Sequence, residues 1–384
     1  MDKMEICKHT EFCGGCLYQG MPYEEQLHLK ESEIKKLLDL NDIVPKVMAP
    51  IIGSPDCYQY RNKMEYTFGD LVKDGPMTLG MHRKGNFMSV VTVDACQLVH
   101  EDFNIVLDAT LEFCTLYPKY HKKQHTGLLR NLILRRGVRT GELLVNIVTS
   151  GEPGFDELGF VEMILALPVS SSIVGILRTI NDGVSDAVNC DELKILYGRD
   201  YYLEKIMGLD FQVSAFSFFQ SNVEAAEALY QEALNLIPDL EGKVAFDLFC
   251  GTGTIAQAMA KRAKEAVGIE LVEEAVAAAK ENALRNGLTN CTFLAGDVFS
   301  VLETILMKPD VIVMDPPRMG VRDKALDKII DYGVEEIVYI SCNPKTLVQN
   351  LVQLQSRGYQ VEYLRAFDNF PFTKHIESIV LLKR

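Results

Sequence analysis

Two patterns of hydrophobic and polar positions share this chain. In the first half, short apolar–polar alternations are punctuated by glycine: YRNKMEYTFG, MTLGMHRKG and FMSVVTVDAC within residues 58–100. A period of two predicts antiparallel strands. LLRNLILRRG and ELLVNIVTS, joined by VRTG, predict a hairpin, and SSIVGILRTIND and YYLEKIMGLDFQVS predict further strand. Helices are expected over residues 22–40, where Leu27, Ile34, Leu37 and Leu38 make an apolar stripe, over 101–117, and over VEMILAL. From about residue 216 helices and strands alternate: VEAAEALYQEALNLI, KVAFDLFC, IAQAMAKRA, AVGIEL, VEEAVAAAKENALRNG, CTFLAGD, VIVMDPP and IVYISC. That alternation predicts a mostly parallel, doubly wound sheet. VEYLRAFDNFPFTKHIESIVLLKR reads as two strands with no helix between them, so the last strand is expected to run antiparallel at an edge.

The 384 residues suit two or three domains. We expect a cysteine-bearing segment and helix over 1–58, a central α+β domain over 59–215 and a nucleotide-type α/β domain over 216–384. No apolar run is long enough to span a bilayer, and the N-terminus lacks the apolar core of a signal peptide, so a cytoplasmic protein is expected. The net charge of −14 argues against a general nucleic-acid binder. Residues 113–141 depart from it: they carry Lys119, Lys122, Lys123, Arg130, Arg135, Arg136 and Arg139 with no acid, interleaved with Tyr117, Tyr120, His121 and His125. A solvated loop and strand would look like this. So would a phosphate-contacting face.

Three features carry chemistry. Asp247-Leu-Phe-Cys-Gly251-Thr-Gly253-Thr254 joins a predicted strand to a predicted helix, where glycines let the backbone approach a ligand. Glu270 ends the next strand, where an acid can hold ribose hydroxyls, and Asp297 ends the third, where a side chain can meet an adenine. The dinucleotide fingerprint lacks its third glycine. A nucleoside cofactor without pyrophosphate fits better, and S-adenosylmethionine is the one expected. Asp315-Pro-Pro-Arg318 ends the fourth strand in a rigid turn. No aromatic follows the prolines to stack on an amine, which favours carbon or oxygen as the methyl acceptor. Cys342 stands at the end of the strand IVYIS, just before a proline turn. Chemistry in such sheets happens at the carboxyl ends of strands, so the position suggests a nucleophile. A thiolate added to carbon 6 of uracil makes carbon 5 nucleophilic, and a base must later remove the carbon-5 proton. Glu377 and His375 compete for that part. Cys7, Cys13 and Cys16 form a tight cluster whose spacing suits zinc or iron–sulfur, with the fourth ligand from Cys57 or Cys96.

SCNPKTL followed by DNFPFTKHIE, with FSFFQSN, DLFCGTGTIA and DPPRMG, resembles the RNA uracil-5-methyltransferase family, and the likeness runs from Cys7 to the last strand. The resemblance implies a class I S-adenosylmethionine-dependent methyltransferase domain. It implies Cys342 as nucleophile and Glu377 as base. It implies Gln220, Phe249 and Asp315 as cofactor contacts beside Gly251, Glu270 and Asp297, and Phe218 near the target base. Thr254 departs from the asparagine frequent in the family. Ribosomal members carry a [4Fe–4S] cluster at this N-terminal spacing, with the fourth cysteine in a segment like that around Cys96. Many relatives begin with a small β-barrel, for which the position of Cys7 leaves no room. Cluster without barrel resembles a group acting on 23S ribosomal RNA. Related cluster-bearing proteins modify tRNA. The expected protein is a monomeric RNA uracil-5-methyltransferase, with Lys122, Lys123, Arg130, Arg135 and Arg136 holding the RNA backbone. Cytosine-5 methylation uses the same thiolate addition, but no group for ring nitrogen 3 of cytosine is evident. A non-enzymatic RNA-binding protein would not need Cys342 and Glu377.

Overall fold

A computed structural model gives the structure of residues 6–121, 123–185 and 187–384. The chain opens with α1 (Tyr23–Asp39) and β1 (Val47–Ile52), then β2 (Lys63–Asp70), β3 (Met77–Arg83), β4 (Asn86–Thr92), α2 (Glu101–Cys114), β5 (Leu129–Arg136) and β6 (Glu142–Thr149). There follow α3 (Glu157–Leu165), β7 (Ser172–Ile180), β8 (Glu192–Gly198), β9 (Tyr201–Ile206) and β10 (Leu209–Ser214). The second half is α4 (Val223–Asn235), β11 (Val244–Leu248), α5 (Thr254–Ala260), β12 (Glu265–Glu270), α6 (Glu273–Arg285), β13 (Cys291–Ala295) and α7 (Val298–Thr304). It ends with β14 (Val311–Met314), α8 (Asp323–Asp331), β15 (Glu336–Ser341), α9 (Pro344–Ser356), β16 (Gln360–Phe367) and β17 (Glu377–Lys383). Among the described residues no helix is long and apolar enough to cross a membrane.

Two compact units result. The first comprises residues 1–20, 56–205 and 212–216, and the second 21–55, 206–211 and 217–384. Residues 21–55, which the sequence reading joins to the cysteine segment, therefore belong to the second unit. The reason is apolar burial: Ile34, Leu38 and Ile43 pack in one core with Leu351, Leu354 and Leu364.

The first unit holds a seven-stranded sheet of order β4-β3-β2-β5-β6-β7-β8. All its pairings are antiparallel except β6–β7, which run parallel with α3 between them. α2 and α3 contribute Phe103, Val106, Leu107, Phe160 and Ile164 to the core against this sheet.

The second unit holds an eight-stranded sheet of order β1-β16-β17-β15-β14-β11-β12-β13. β11 to β15 pair in parallel, and β17 is antiparallel to both of its neighbours. The reversed last strand is as expected, but it is internal rather than an edge. β16 lies beyond it and β1 closes that side parallel to β16. This is the α/β fold anticipated, widened by a strand from the N-terminal segment. Because β11–β15 run the same way, the loops after them gather at one sheet edge.

Candidate active site

The loop after β11 is the first candidate for a ligand contact. Asp247 is buried on β11, and its Oδ2 accepts the Ala256 N–H at 2.8 Å, tying the strand to the first turn of α5. Its Oδ1 is buried without a partner. Burial pushes this carboxyl well above the usual carboxylate range, and the charges of Asp315 and Glu270 push the same way. Phe249, Gly251 and Gly253 all have positive φ (68°, 53° and 81°). A Cβ at Gly251 would meet no heavy atom within 4 Å, so the loop there faces open space; at Gly253 it would strike the Phe293 ring at 2.5 Å. Glu270 grips this loop: its carboxylate accepts the N–H of Gly251 and of Val272, each at 3.0 Å. Asp297, two residues past β13, caps α7 by accepting the Phe299 N–H at 3.1 Å. The expected cofactor residues thus line successive strand ends. Glu270 and Asp297 each also serve the backbone.

The second group sits after β14 and β15. Cys342 follows the last residue of β15, and Asn343 caps α9 by accepting the Lys345 N–H at 3.2 Å, with Pro344 in the first turn. Ser341 pairs with Ser378 across the β15–β17 ladder. One further step in that antiparallel register sets Cys342 opposite Glu377, and the Glu377 charge acts on the Cys342 thiol. Glu377 is only 8% exposed. Burial, then repulsion from Asp315, holds it well above the carboxylate range, against the pull of Arg318. Burial pushes the Cys342 thiol up to about 11, helped by Glu377 and Asp315 and opposed by Arg318. Asp315 keeps part of its surface open, yet burial raises its carboxyl to about 7. The Pro316-Pro317-Arg318 turn is clipped to the cysteine turn, because the Arg318 carbonyl accepts from Asn343 Nδ2 at 2.9 Å and Thr346 Oγ1 at 3.2 Å.

His375, the competing base, lies 2.8 Å from an Arg318 guanidinium nitrogen through its Nδ1. Arginine only donates, so this ring nitrogen is an acceptor already in use. Gln220 Nε2 donates to the Tyr230 hydroxyl at 2.8 Å. Tyr230 was not singled out in the sequence. It is buried on α4, and its hydroxyl is raised by burial and by the charges of Asp315, Glu377 and Asp247, which places it among the site's acids. Phe218 is 71% exposed.

In the first unit Cys7, Cys13, Cys16 and Cys96 are all free thiols close enough to act on one another electrostatically. Burial and this mutual repulsion raise Cys16 to about 12. Asn104 of α2 grips the backbone of Cys96 on both sides, accepting its N–H at 3.0 Å and donating to its carbonyl at 3.3 Å. Among the described residues no three ligating side chains stand at the spacing of a bound metal. The basic stretch needs correction. Arg130 is 7% and Arg135 2% exposed. Arg130 donates to the carbonyls of Asn181, Gly183 and Ser185 and stacks on Tyr120, and Arg135 lies against the Tyr202 hydroxyl. Arg136 is partly buried and donates to Ser171 Oγ at 2.9 Å. These guanidiniums are turned inward as structural donors. Lys123 is exposed, and Lys122 lies outside the described residues.

Comparisons with known proteins bear on the family and the fold. The family model for tRNA (uracil-5-)-methyltransferase matches residues 189–384. A protein of Clostridium tetani described as an uncharacterized RNA methyltransferase is 47% identical over 374 residues, covering 97% of this chain and 82% of its own. A similarly described protein of Caldanaerobacter subterraneus is 47% identical over 382 residues, covering 98% and 84%. Among solved structures, the Pyrococcus abyssi tRNA (uracil-54, C5)-methyltransferase in complex with S-adenosyl-L-homocysteine superposes with a TM-score of 0.80 at 24% identity, covering 96% of this chain and 84% of that one. That likeness shows the fold, the class I S-adenosylmethionine-dependent methyltransferase fold. With the family model spanning half of the chain and relatives at 47% identity spanning nearly all of it, the chain belongs to the tRNA (uracil-5-)-methyltransferase family of RNA methyltransferases.

Proposed function

We propose that this enzyme methylates carbon 5 of a uridine in RNA, with Cys342 as the covalent nucleophile and Glu377 as the base. The observation that carries the reading is the β15–β17 register, which sets a thiol against a buried carboxyl at the edge where the cofactor loop lies. S-adenosylmethionine supplies the methyl group, and the open Gly251 loop, the Glu270 carboxylate and the unpartnered Asp247 oxygen suit its nucleoside and amino-acid portions.

Cys342 gives up its proton to solvent and its thiolate forms a bond to carbon 6; the displaced π electrons make carbon 5 the nucleophile that would take the methyl group, the S–CH3 pair leaving with S-adenosylhomocysteine. Glu377, ionised, then removes the carbon-5 proton. The C5–C6 double bond re-forms and the C6–S electron pair leaves with sulfur. Burial makes Glu377 a stronger base than an exposed carboxylate, which suits a carbon acid. Ionised, it opposes the thiolate, and Arg318 favours that thiolate. Gln220, fixed by Tyr230, suits a cofactor contact, and the exposed ring of Phe218 suits the target base. Enzymes acting on a base take it from the stack or from an unpaired loop.

The cysteine set suits a [4Fe–4S] cluster on Cys7, Cys13, Cys16 and Cys96, with zinc as the competing occupant. The cluster reading favours ribosomal RNA as substrate. The family name and the Pyrococcus enzyme favour tRNA. RNA chemistry and ten cysteines suit a reducing, cytoplasmic setting.

The deciding experiment incubates the Glu377→Gln enzyme with total cellular RNA and S-adenosylmethionine, then sequences RNA that stays attached on a denaturing gel. A methylated, covalently trapped uridine is expected, and its source separates ribosomal from transfer RNA. Cys342→Ala should trap nothing and methylate nothing. Methyl transfer surviving in Cys342→Ala sinks the covalent reading, and a cytidine in the trapped RNA sinks the uracil assignment.

A further inference from the structure

Arg130 and Arg135 are turned inward, and the first unit also exposes cations outside that stretch. From Gly75 to Val93 there is no acidic residue, in a chain whose net charge is −14. The β3–β4 hairpin tip in this stretch exposes Arg83 and Lys84 around the turn at Gly85, whose φ is +72°. Beside them Phe87 is 57% and Met88 59% exposed. The His82 ring stacks on Phe87 with centroids 4.0 Å apart and planes 23° from parallel. The tip is braced by the cysteine-bearing loop: Gly14 N–H donates to the His82 carbonyl at 3.0 Å and Lys84 N–H to the Phe12 carbonyl at 2.7 Å. The Arg83 guanidinium stands over the Phe12 ring, 5.6 Å from its centroid.

We propose that this tip, residues 82–88, is a docking surface for single-stranded RNA, an inference that rests on the reading of the protein as an RNA-methylating enzyme. Single strands are held by π platforms on which bases stack, beside cations that follow the phosphates. The stacked His82–Phe87 pair supplies the platform, and Arg83 and Lys84 supply the cations. A mobile arm would lose ordering entropy on binding; here the backbone bonds to the cysteine loop hold the tip in place. The brace also gives that loop a task that needs no redox chemistry. Bound metal at Cys13 and Cys16 would stiffen the support under the hairpin.

The test measures binding of a fluorescent oligouridine to full-length protein across a salt series. Phe87→Ala is expected to weaken binding by roughly fivefold to a hundredfold. Lys84→Gln should lower the slope of log affinity against log salt by about 0.7. Both side chains are exposed, so the thermal midpoint should stay put. Wild-type affinity and slope in both variants overturn the inference, including the case in which a protein partner covers this tip instead. Failure of the wild type to bind oligouridine overturns it too. The adduct assay on Glu377→Gln reports on the catalytic reading separately.

Discussion

At the residue scale the site is a concentration of acid around one thiol. Asp247, Asp315 and Glu377 are all raised, chiefly by burial, and each is raised further by, or itself raises, an acidic neighbour. Asp315 and Glu377 bind protons more tightly folded than unfolded. They favour the fold while protonated, and that contribution is lost as pH rises through their folded values. For Asp315 the window runs from the usual carboxylate range to about 7. Asp315→Asn should therefore come closest to wild-type stability below about pH 4 and gain on it as pH rises to 8, by of order 1–2 kcal/mol or a few degrees in Tm. It should also lower the pH midpoint for alkylation of Cys342, followed by mass spectrometry, because one of the charges opposing the thiolate is gone. A stability difference that does not vary with pH would show that Asp315 does not titrate in this range. The position of Cys342 after the last residue of β15 was legible in the sequence, because an apolar run that ends in a proline turn marks a strand end. Tyr230 was not, since a hydroxyl on the apolar face of α4 reads as core. Arg130 and Arg135 misled because cations in a strand pattern read as exposed, and only the folded carbonyl cage around Arg130 says otherwise.

At the scale of elements, the question is what holds the segment before β17, since Glu377 is the strand's first residue. The 368–376 loop is fastened from three sides. Lys30 of α1 meets Asp368 at 2.6 Å, both side chains fully buried, and also donates to the Phe370 carbonyl at 3.2 Å. Gln26 of α1 accepts the Phe372 N–H at 2.8 Å. The end of β1 accepts the Asp368 N–H at 2.8 Å through Ile52, and Asn222, the cap of α4, donates to the Asn369 carbonyl at 3.0 Å. Sequence periodicity placed α1 correctly, but its inward face is Gln26, Lys30, Ile34 and Leu38, half of it polar. Nothing local reveals that, because the partner of Lys30 lies 338 residues away. β1 went unread as well, since its burial follows no clean alternation. A buried ion pair is costly to break from one side, and replacing both partners with apolar groups can restore stability. Lys30→Met should cost about 3–5 kcal/mol in denaturant unfolding. Lys30→Met with Asp368→Leu should recover most of it. If the pair positions Glu377, the double variant stays slow in releasing methylated RNA from the Cys342 adduct, because small displacements of a catalytic group are expensive. Full single-turnover release by a stable double variant would make the pair purely structural.

At the scale of the whole molecule, alternation of strands and helices made the α/β class readable, and the glycine-punctuated first half made the antiparallel sheet readable. The interleaving was not readable, because it depends on which core the apolar side chains of residues 21–55 join rather than on any local pattern. Its consequence is that the two groups of candidate residues fall in different units. Cys7, Cys13, Cys16 and Cys96 belong to the first, and Cys342 and Glu377 to the second. Metal binding contributes to folding where its ligands converge, and stability is distributed unevenly over a structure. Cys16→Ser, or anaerobic chelation of the metal, should therefore raise amide hydrogen exchange in residues 6–20 and in the β3–β4 hairpin that the cysteine loop braces. Exchange over β11 to β17 should change little. The purified wild type should be brown and contain iron, and Cys16→Ser should be pale. Iron-free, zinc-containing wild type would replace the cluster by zinc, with the same exchange pattern. Exchange that rises equally in β15 and β17 would show that the metal supports the catalytic sheet directly, and the assignment of the cysteine loop to the first unit's stability alone would then fall.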